Sequence, residues 1–179
     1  MNEESQIIFR EAQPNDLNFA LDLYNYYILN TTAAFDHEKI TMEELQARLS
    51  YHNGKYRTFL VCDKPDKNIM GFCFLKQFRT KPAYDKSAEI GLYLQPEKTG
   101  QKLGHHIIRF LEEYARGNDI EVIIATISGE NVNSIKLFDR MGYERCAHFR
   151  KIAVKFNRRL DLIQYEKILS RLPDPLEVS

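Results

Sequence analysis

The heptapeptide Glu121–Ile127, EVIIATI, constrains the fold of this chain more than any other stretch. It is almost wholly apolar, so it is predicted to be a central strand covered on both faces of its sheet. The neighbouring segments can supply that cover. AEIGLYL (Ala88–Leu94) reads as a second strand, and a short loop carries it into a helix from about Gln101 to Arg116. That helix has Leu103, Ile107, Leu111 and Tyr114 on one face. A further helix from about Asn131 to Met141 follows, closed by Gly142 in the position typical of a left-handed cap.

The rest of the chain extends this pattern. Ile7–Ala12 is predicted to be a first strand, and Pro14 opens a helix through about Ile28, since proline suits the first helical turn. Phe19, Leu23, Tyr26 and Tyr27 recur at helical spacing there, and Asn30–Asp36 breaks the pattern as a loop. Thr41 with Glu44 forms a capping box that starts a helix to about His52. Arg57–Asp63 and Ile69–Phe78 read as a hairpin around the turn KPDKN, with a polar loop after it. Two late strands are expected at about Glu144–Val154 and Asp161–Ile168, and the tail from Ser170 is expected to be poorly ordered. With no repeat or linker, residues 1–179 are expected to form one α/β domain with a mixed sheet, its core at about 6–168.

Charge and cysteine usage exclude several classes of function. Lys plus Arg equals Asp plus Glu at 25 each, which argues against a general nucleic-acid binder. The three cysteines are far apart and show no metal-ligand spacing, so no metal is expected and the thiols are expected to be reduced. The N-terminal MNEESQ is too polar and acidic for a signal peptide. No apolar run approaches the ~18 residues of a membrane span. A cytoplasmic protein without membrane or nucleic-acid partners is therefore expected.

The loop KTGQKLG (Lys98–Gly104) runs into the start of a helix. Helix N-termini carry unpaired N–H groups and the positive end of the dipole, so this junction can hold an anion. Gly100 and Gly104 allow close backbone approach. Lys102 either adds a point charge to that site or lies solvated on the helix. The adjacent His105 and His106 point in different directions on a helix, which disfavours metal binding. Glu89 lies in the otherwise apolar AEIGLYL, either as a base or as a strand charge paired with Lys86.

Taken together, these segments resemble the GNAT N-acetyltransferase superfamily, in particular its phosphinothricin/methionine sulfone acetyltransferase branch. The superfamily's phosphate-loop motif, Q/R-x-x-G-x-G/A, falls on Thr99–Gly104, where Thr99 replaces Gln or Arg and Lys102 replaces the first glycine. Asn25–Asp36 is similar to the branch's first helix and substrate loop. Phe78–Leu94 is similar to its Arg, Ala-Tyr and Glu region. Asn131–Glu144 and Lys155–Lys167 are similar to its later segments, with Asn157 where a glycine is usual. The resemblance covers about residues 6–168.

The resemblance implies a three-layer fold whose mixed, mostly antiparallel sheet is flanked by helices. It implies acetyl transfer from acetyl-CoA, as co-substrate, to the primary α-amine of a small amino acid or analogue, and a homodimer. Glu89 would be the base. Leu92, Tyr93 and Leu94 would meet the pantetheine arm, and an N–H near Leu92 would face the thioester carbonyl. Gly100, Gln101, Lys102, Leu103, Gly104 and His105 would hold the pyrophosphate, with Asn131, Ser134 and Arg140 as further cofactor contacts. Phe35, Arg79, Tyr84 and Lys155 would line the substrate site, Arg79 binding a carboxylate. Phe138 stands where many members have a proton-donating Tyr or His, which excludes a protein acid at that position. The alternatives are an acetyl-CoA-binding module without turnover, or an acetyltransferase of another small amine such as a polyamine or aminoglycoside.

Overall fold

The computed structural model describes residues 7–49, 54–64 and 67–169. Within them one seven-stranded sheet has the order β1-β2-β3-β4-β5-β7-β6. Its strands are β1 (Ile7–Glu11), β2 (Arg57–Asp63), β3 (Ile69–Gln77), β4 (Ser87–Leu94), β5 (Val122–Ser128), β6 (Glu144–Lys155) and β7 (Arg158–Ile168). The helices are α1 (Leu17–Asn30), α2 (Met42–Leu49), α3 (Leu103–Gly117) and α4 (Val132–Arg140). β4 and β5 pair in parallel, and every other neighbouring pair is antiparallel.

All of EVIIATI but its first residue falls in β5, which runs one residue further to Ser128 and lies between β4 and β7, as the apolar run requires. Alternation along the strands divides the core in two. Ala88 and Ile90 of β4 and Ile123, Ala125 and Ile127 of β5 pack with Ile107, Ile108 and Leu111 of α3 and Phe138 of α4. On the other face, Phe72 and Phe74 of β3 pack with Ala20, Leu23 and Ile28 of α1 and Leu45 and Leu49 of α2. The expected three layers follow.

Several boundaries move for local reasons. Pro14–Asp16 is a 3₁₀ turn, and the α-helix begins only at Leu17. The Asp16 carboxylate accepts from Arg10 at 2.6 and 2.8 Å and from the Gln13 N–H at 2.8 Å, which pins the turn. α1 runs past Ile28 to Asn30, where the Thr31 hydroxyl donates to the Tyr27 carbonyl at 2.8 Å. The Thr41–Glu44 capping box forms, with bonds of 2.8 and 3.3 Å. The expected end of α2 at His52 and the tail from Ser170 lie outside the described residues. α3 begins at Leu103 rather than Gln101, and β7 begins at Arg158 rather than Asp161. Gly142 has φ 75°, the left-handed cap expected of it.

Gly91 of β4 lies opposite Phe74 of β3. A Cβ at Gly91 would come within 2.2 Å of the Phe74 ring, so glycine makes room for that ring against the sheet. Gly91→Ala is expected to cost about 1–3 kcal/mol by overpacking, read by urea denaturation. Adding Phe74→Leu should recover part of the loss, and a fully stable Gly91→Ala single variant would contradict this packing.

Candidate active site

The parallel ladder between β4 and β5 runs only from Ser87↔Val122 to Ile90↔Ala125. Both strands continue beyond it, β4 to Leu94 and β5 to Ser128. Each keeps its outer antiparallel partner, so the two part like the arms of a V. Gly91–Leu94 and Thr126–Ser128 therefore face each other without a shared ladder. A cavity of about 930 Å³ occupies this split and extends under the 31–36 loop.

Most of the residues singled out from the sequence line this cavity. Glu89, Leu92, Tyr93 and Leu94 come from β4, while Gly100, Lys102, Leu103, Gly104 and His105 come from the loop and the start of α3. Asn131, Ser134 and Arg140 come from α4 and its cap, and Phe35 from the loop after α1. Four others are placed elsewhere. The Gln101 carboxamide donates to the Glu97 carbonyl at 3.0 Å. The Arg79 guanidinium rests 5.1 Å from the centre of the Phe78 ring, and Tyr84 meets that ring edge-on at 6.1 Å. Neither Arg79 nor Tyr84 is among the lining residues. Lys155 sits behind the wall, 1% exposed, with Nζ donating to the Ala34 carbonyl at 2.6 Å.

The loop before α3 is shaped by two left-handed residues, Gly100 at φ 76° and Lys102 at φ 61°. Lys102 is the N-cap of α3 and has no side-chain capping bond. The amides of Gln101, Lys102, Leu103 and Gly104 have no acceptor among the described residues, so they remain available to an anion. Gly104 serves a second purpose that was not expected. A Cβ there would come within 2.5 Å of a Leu137 methyl, so this glycine brings α3 and α4 into contact.

α4 is capped by Asn131, whose side-chain oxygen accepts from the Ser134 N–H at 3.2 Å. That bond leaves the Asn131 NH₂ free to donate. Lys136 and Arg140 add two cations on the same helix. On β4, the Leu94 carbonyl already accepts from the Tyr27 hydroxyl at 2.6 Å. The Tyr27 phenol is held above its usual pKa by burial. Phe138 is buried, edge-on to Tyr143 with 4.9 Å between ring centres, and offers no proton.

Glu89 does not pair with Lys86, which binds Glu121 at 2.7 Å instead. Its partner is Lys76, directly opposite on β3, with Nζ 3.3 Å from Oε2. Both side chains are partly exposed and line the cavity. Lys76 was not singled out from the sequence, because only the β3–β4 register brings it to Glu89. Lys136 was missed as well, and its signal is its place one turn before Arg140 on α4.

The 31–36 loop, the cavity's outer wall, is tied down by polar contacts. Asp36 accepts from Arg48 at 2.6 Å. Beside it, Glu130 accepts from Arg158 through two bonds of 2.8 Å. Arg158 holds the Glu130 carboxyl below its ordinary pKa. Among the described residues no group of three or more His, Cys, Asp or Glu side chains could hold a metal.

A split sheet, an amide cradle at a helix start and a carboxylate beside the split together suit an acyl-CoA-dependent acyltransferase. The family model for the acetyltransferase (GNAT) domain matches residues 9–163. The chain belongs to this family, and its class is that of acetyl-CoA-dependent N-acetyltransferases. A phosphinothricin N-acetyltransferase of Streptomyces coelicolor is 30% identical over 167 residues, which span 92% of this chain and 98% of that one. An L-methionine sulfoximine/L-methionine sulfone acetyltransferase of Pseudomonas aeruginosa is 28% identical over 153 residues, 86% of this chain and 89% of that one. Among solved structures, an N-acetyltransferase from Staphylococcus aureus superposes with a TM-score of 0.84 at 26% identity, covering 93% of this chain and 100% of that one. A phosphinothricin acetyltransferase from Sinorhizobium meliloti, solved with acetyl-CoA, shares the fold at a TM-score of 0.84 and 24% identity, over 91% and 88% of the two chains.

The left-handed backbone of Lys102 is a source of strain in the ligand-free protein. That conformation costs about 1–2 kcal/mol, of which glycine's greater freedom in the unfolded chain returns about 0.4–1 kcal/mol. Lys102→Gly is expected to stabilise the ligand-free protein by roughly 0.5–1 kcal/mol, measured by chemical denaturation. A destabilised variant would mean that the side chain contributes contacts worth more than the strain.

Proposed function

We propose that this enzyme acetylates the α-amine of a small amino acid or analogue of the phosphinothricin and methionine sulfone type, by direct attack on the thioester of acetyl-CoA. The observation that carries this reading is the parted β4–β5 pair with Glu89 at its closed end. An extended pantetheine arm carries amides of its own. It would lie in the V as an added strand, with Leu92 as its main-chain partner. One lone pair of the Leu94 carbonyl is engaged by Tyr27, so Leu94 would contribute mostly its side chain. The pyrophosphate would rest on the Gly100–Gly104 amides, since the His105 N–H already donates to the Lys102 carbonyl at 3.3 Å, with Lys102, Lys136 and Arg140 offering positive charge around it.

In the reaction the neutral amine nitrogen attacks the thioester carbon, forming C–N while the carbonyl π pair moves onto oxygen. A backbone N–H near Leu92 would stabilise that oxyanion. Collapse breaks C–S and releases coenzyme A as a thiolate. Glu89 takes the proton of the amine directly or through one water. With Phe138 in place of a donor, the thiolate takes its proton from solvent. Phe35 would line the acceptor end. Lys155 would support that end indirectly through Ala34. Arg79 and Tyr84, which lie on Phe78, would reach a substrate only by rearrangement of their loop.

Glu89→Gln keeps the shape and removes the base. It is expected to lower kcat by roughly 10²–10⁴-fold while acetyl-CoA affinity, followed by calorimetry, stays within threefold. An unchanged kcat would assign the proton to bulk water or another group.

A homodimer in the cytoplasm completes the proposal. Edge strand β6 and the turn after it expose Phe149, Ile152, Val154 and Phe156, an apolar row that suits burial against a second copy. Cys62 and Cys73 are buried free thiols, consistent with a reducing compartment. Sedimentation is expected to give the mass of two chains, and Ile152→Asp with Val154→Asp the mass of one. A monomeric wild type would remove the dimer from the proposal.

A further inference from the structure

The arginine that the family resemblance offers to a substrate carboxylate, Arg79, is stacked on Phe78 and does not line the cavity. Lys76 does line it. Its Nζ lies 3.3 Å from Glu89 Oε2, its side chain is 30% exposed, and that of Glu89 is 23% exposed. The other cations near this end are already engaged. Arg48 holds Asp36 at 2.6 Å, Arg158 holds Glu130 at 2.8 Å, and Lys155 donates to Ala34 at 2.6 Å. Lys102, Lys136 and Arg140 belong to the loop and helix around the amide cradle.

We propose that Lys76 and Glu89 together form a receptor for the zwitterionic head of a free α-amino acid, with Lys76 binding the α-carboxylate and Glu89 facing the α-nitrogen. This rests on the acetyl-transfer reading given above. The two side chains project from directly paired positions of adjacent strands, so they emerge side by side on one face of the sheet. An α-amino acid carries its nitrogen and its carboxylate on a single carbon. Its two charges stand about as close together as Nζ and Oε2, with the opposite polarity. Insertion exchanges one ion pair for two and leaves neither half-buried charge without a partner.

Other amines lack this match. A polyamine meets Lys76 with another positive charge, and it must break the Lys76–Glu89 pair without offering Lys76 an anion. The N-terminus of a peptide presents a neutral amide where the carboxylate should be. Carboxylate binding also draws Lys76 away from Glu89, which frees that carboxylate to face the amine. Lys76 is thus a specificity-determining residue that couples recognition of the acid group to availability of the base.

The test compares three acceptors with acetyl-CoA: methionine sulfone, its methyl ester, and the amine left by removing its carboxyl group. For the wild type, kcat/KM is expected to favour the free acid by about 10- to 100-fold, the worth of one charge-assisted hydrogen bond. Lys76→Met is expected to erase that preference by raising KM for the acid far more than for the ester. Lys76→Arg should restore most of the preference. If Lys76→Met does not fold, as judged by circular dichroism, Lys76→Gln carries the same comparison. Wild-type acetylation of acid, ester and amine at similar kcat/KM would overturn the proposal and leave the acetyl-transfer reading standing. A Lys76→Met loss that falls equally on acid and ester would overturn it too. No turnover of any of the three by the wild type would overturn both.

Discussion

The site depends on one constraint of sheet geometry. β4 is held along its length by β3, from Gly71↔Leu94 to Gln77↔Ala88, and β5 by β7, from Val122↔Ile168 to Ser128↔Leu162. The parallel contact between them involves four residue pairs. Each strand follows its longer partner, and the accumulated twist pulls the two apart beyond Ile90. The opening leaves main-chain polar groups turned toward a cavity instead of a neighbouring strand. Buried backbone groups need partners, so the split favours an extended ligand with amides of its own.

Helix placement turns that opening into a directional site. α3 starts where β4 ends, after a loop whose two left-handed residues gather the first-turn amides. α4 starts where β5 ends, capped by Asn131. Gly104 against Leu137 keeps the two helices close enough to share one mouth. The positive side chains lining the cavity from this half, Lys102, Lys136 and Arg140, suit a polyanion, while the Lys76–Glu89 pair suits a dipolar group. The chain carries 25 basic and 25 acidic side chains, so this polarity comes from their arrangement and not from any excess.

The parts legible in the sequence were those written in local patterns. Apolar alternation and helical spacing gave the strands and helices, the Thr41–Glu44 pair gave a start, and Gly142 gave a stop. Glu89 stood out because a carboxylate in an apolar strand needs a reason. The parts that were not legible depend on register or on long-range contact. Lys76 meets Glu89 only through the pairing of β3 with β4. Gln101 keeps its main-chain amide open to the cradle, but that its side chain folds back to Glu97 within its own turn is a contact no spacing shows. Arg79 and Tyr84 sit in a loop whose direction is decided by packing on Phe78, which no spacing rule predicts. The role of Gly104 needs the α3–α4 contact to be known.

The outer wall shows how such a site is held in shape without a core of its own. The 31–36 loop is anchored from two separate elements: Arg48 of α2 at Asp36, and Lys155 of β6 at Ala34. Burying Lys155 against a neutral carbonyl is costly, and that burial lowers its pKa, while nearby Asp36 acts in the opposite direction. An aliphatic side chain there would fill space without reaching the carbonyl of Ala34. A lysine gives the loop a directional bond 121 residues away in sequence. The wall can then hold its position while the cavity face remains polar enough to admit a charged substrate. Stability is spent at Lys155 on geometry, and the beneficiary is the wall beside Phe35, which in the proposed reaction would hold the acceptor end of the cavity in shape for an amine to reach the thioester.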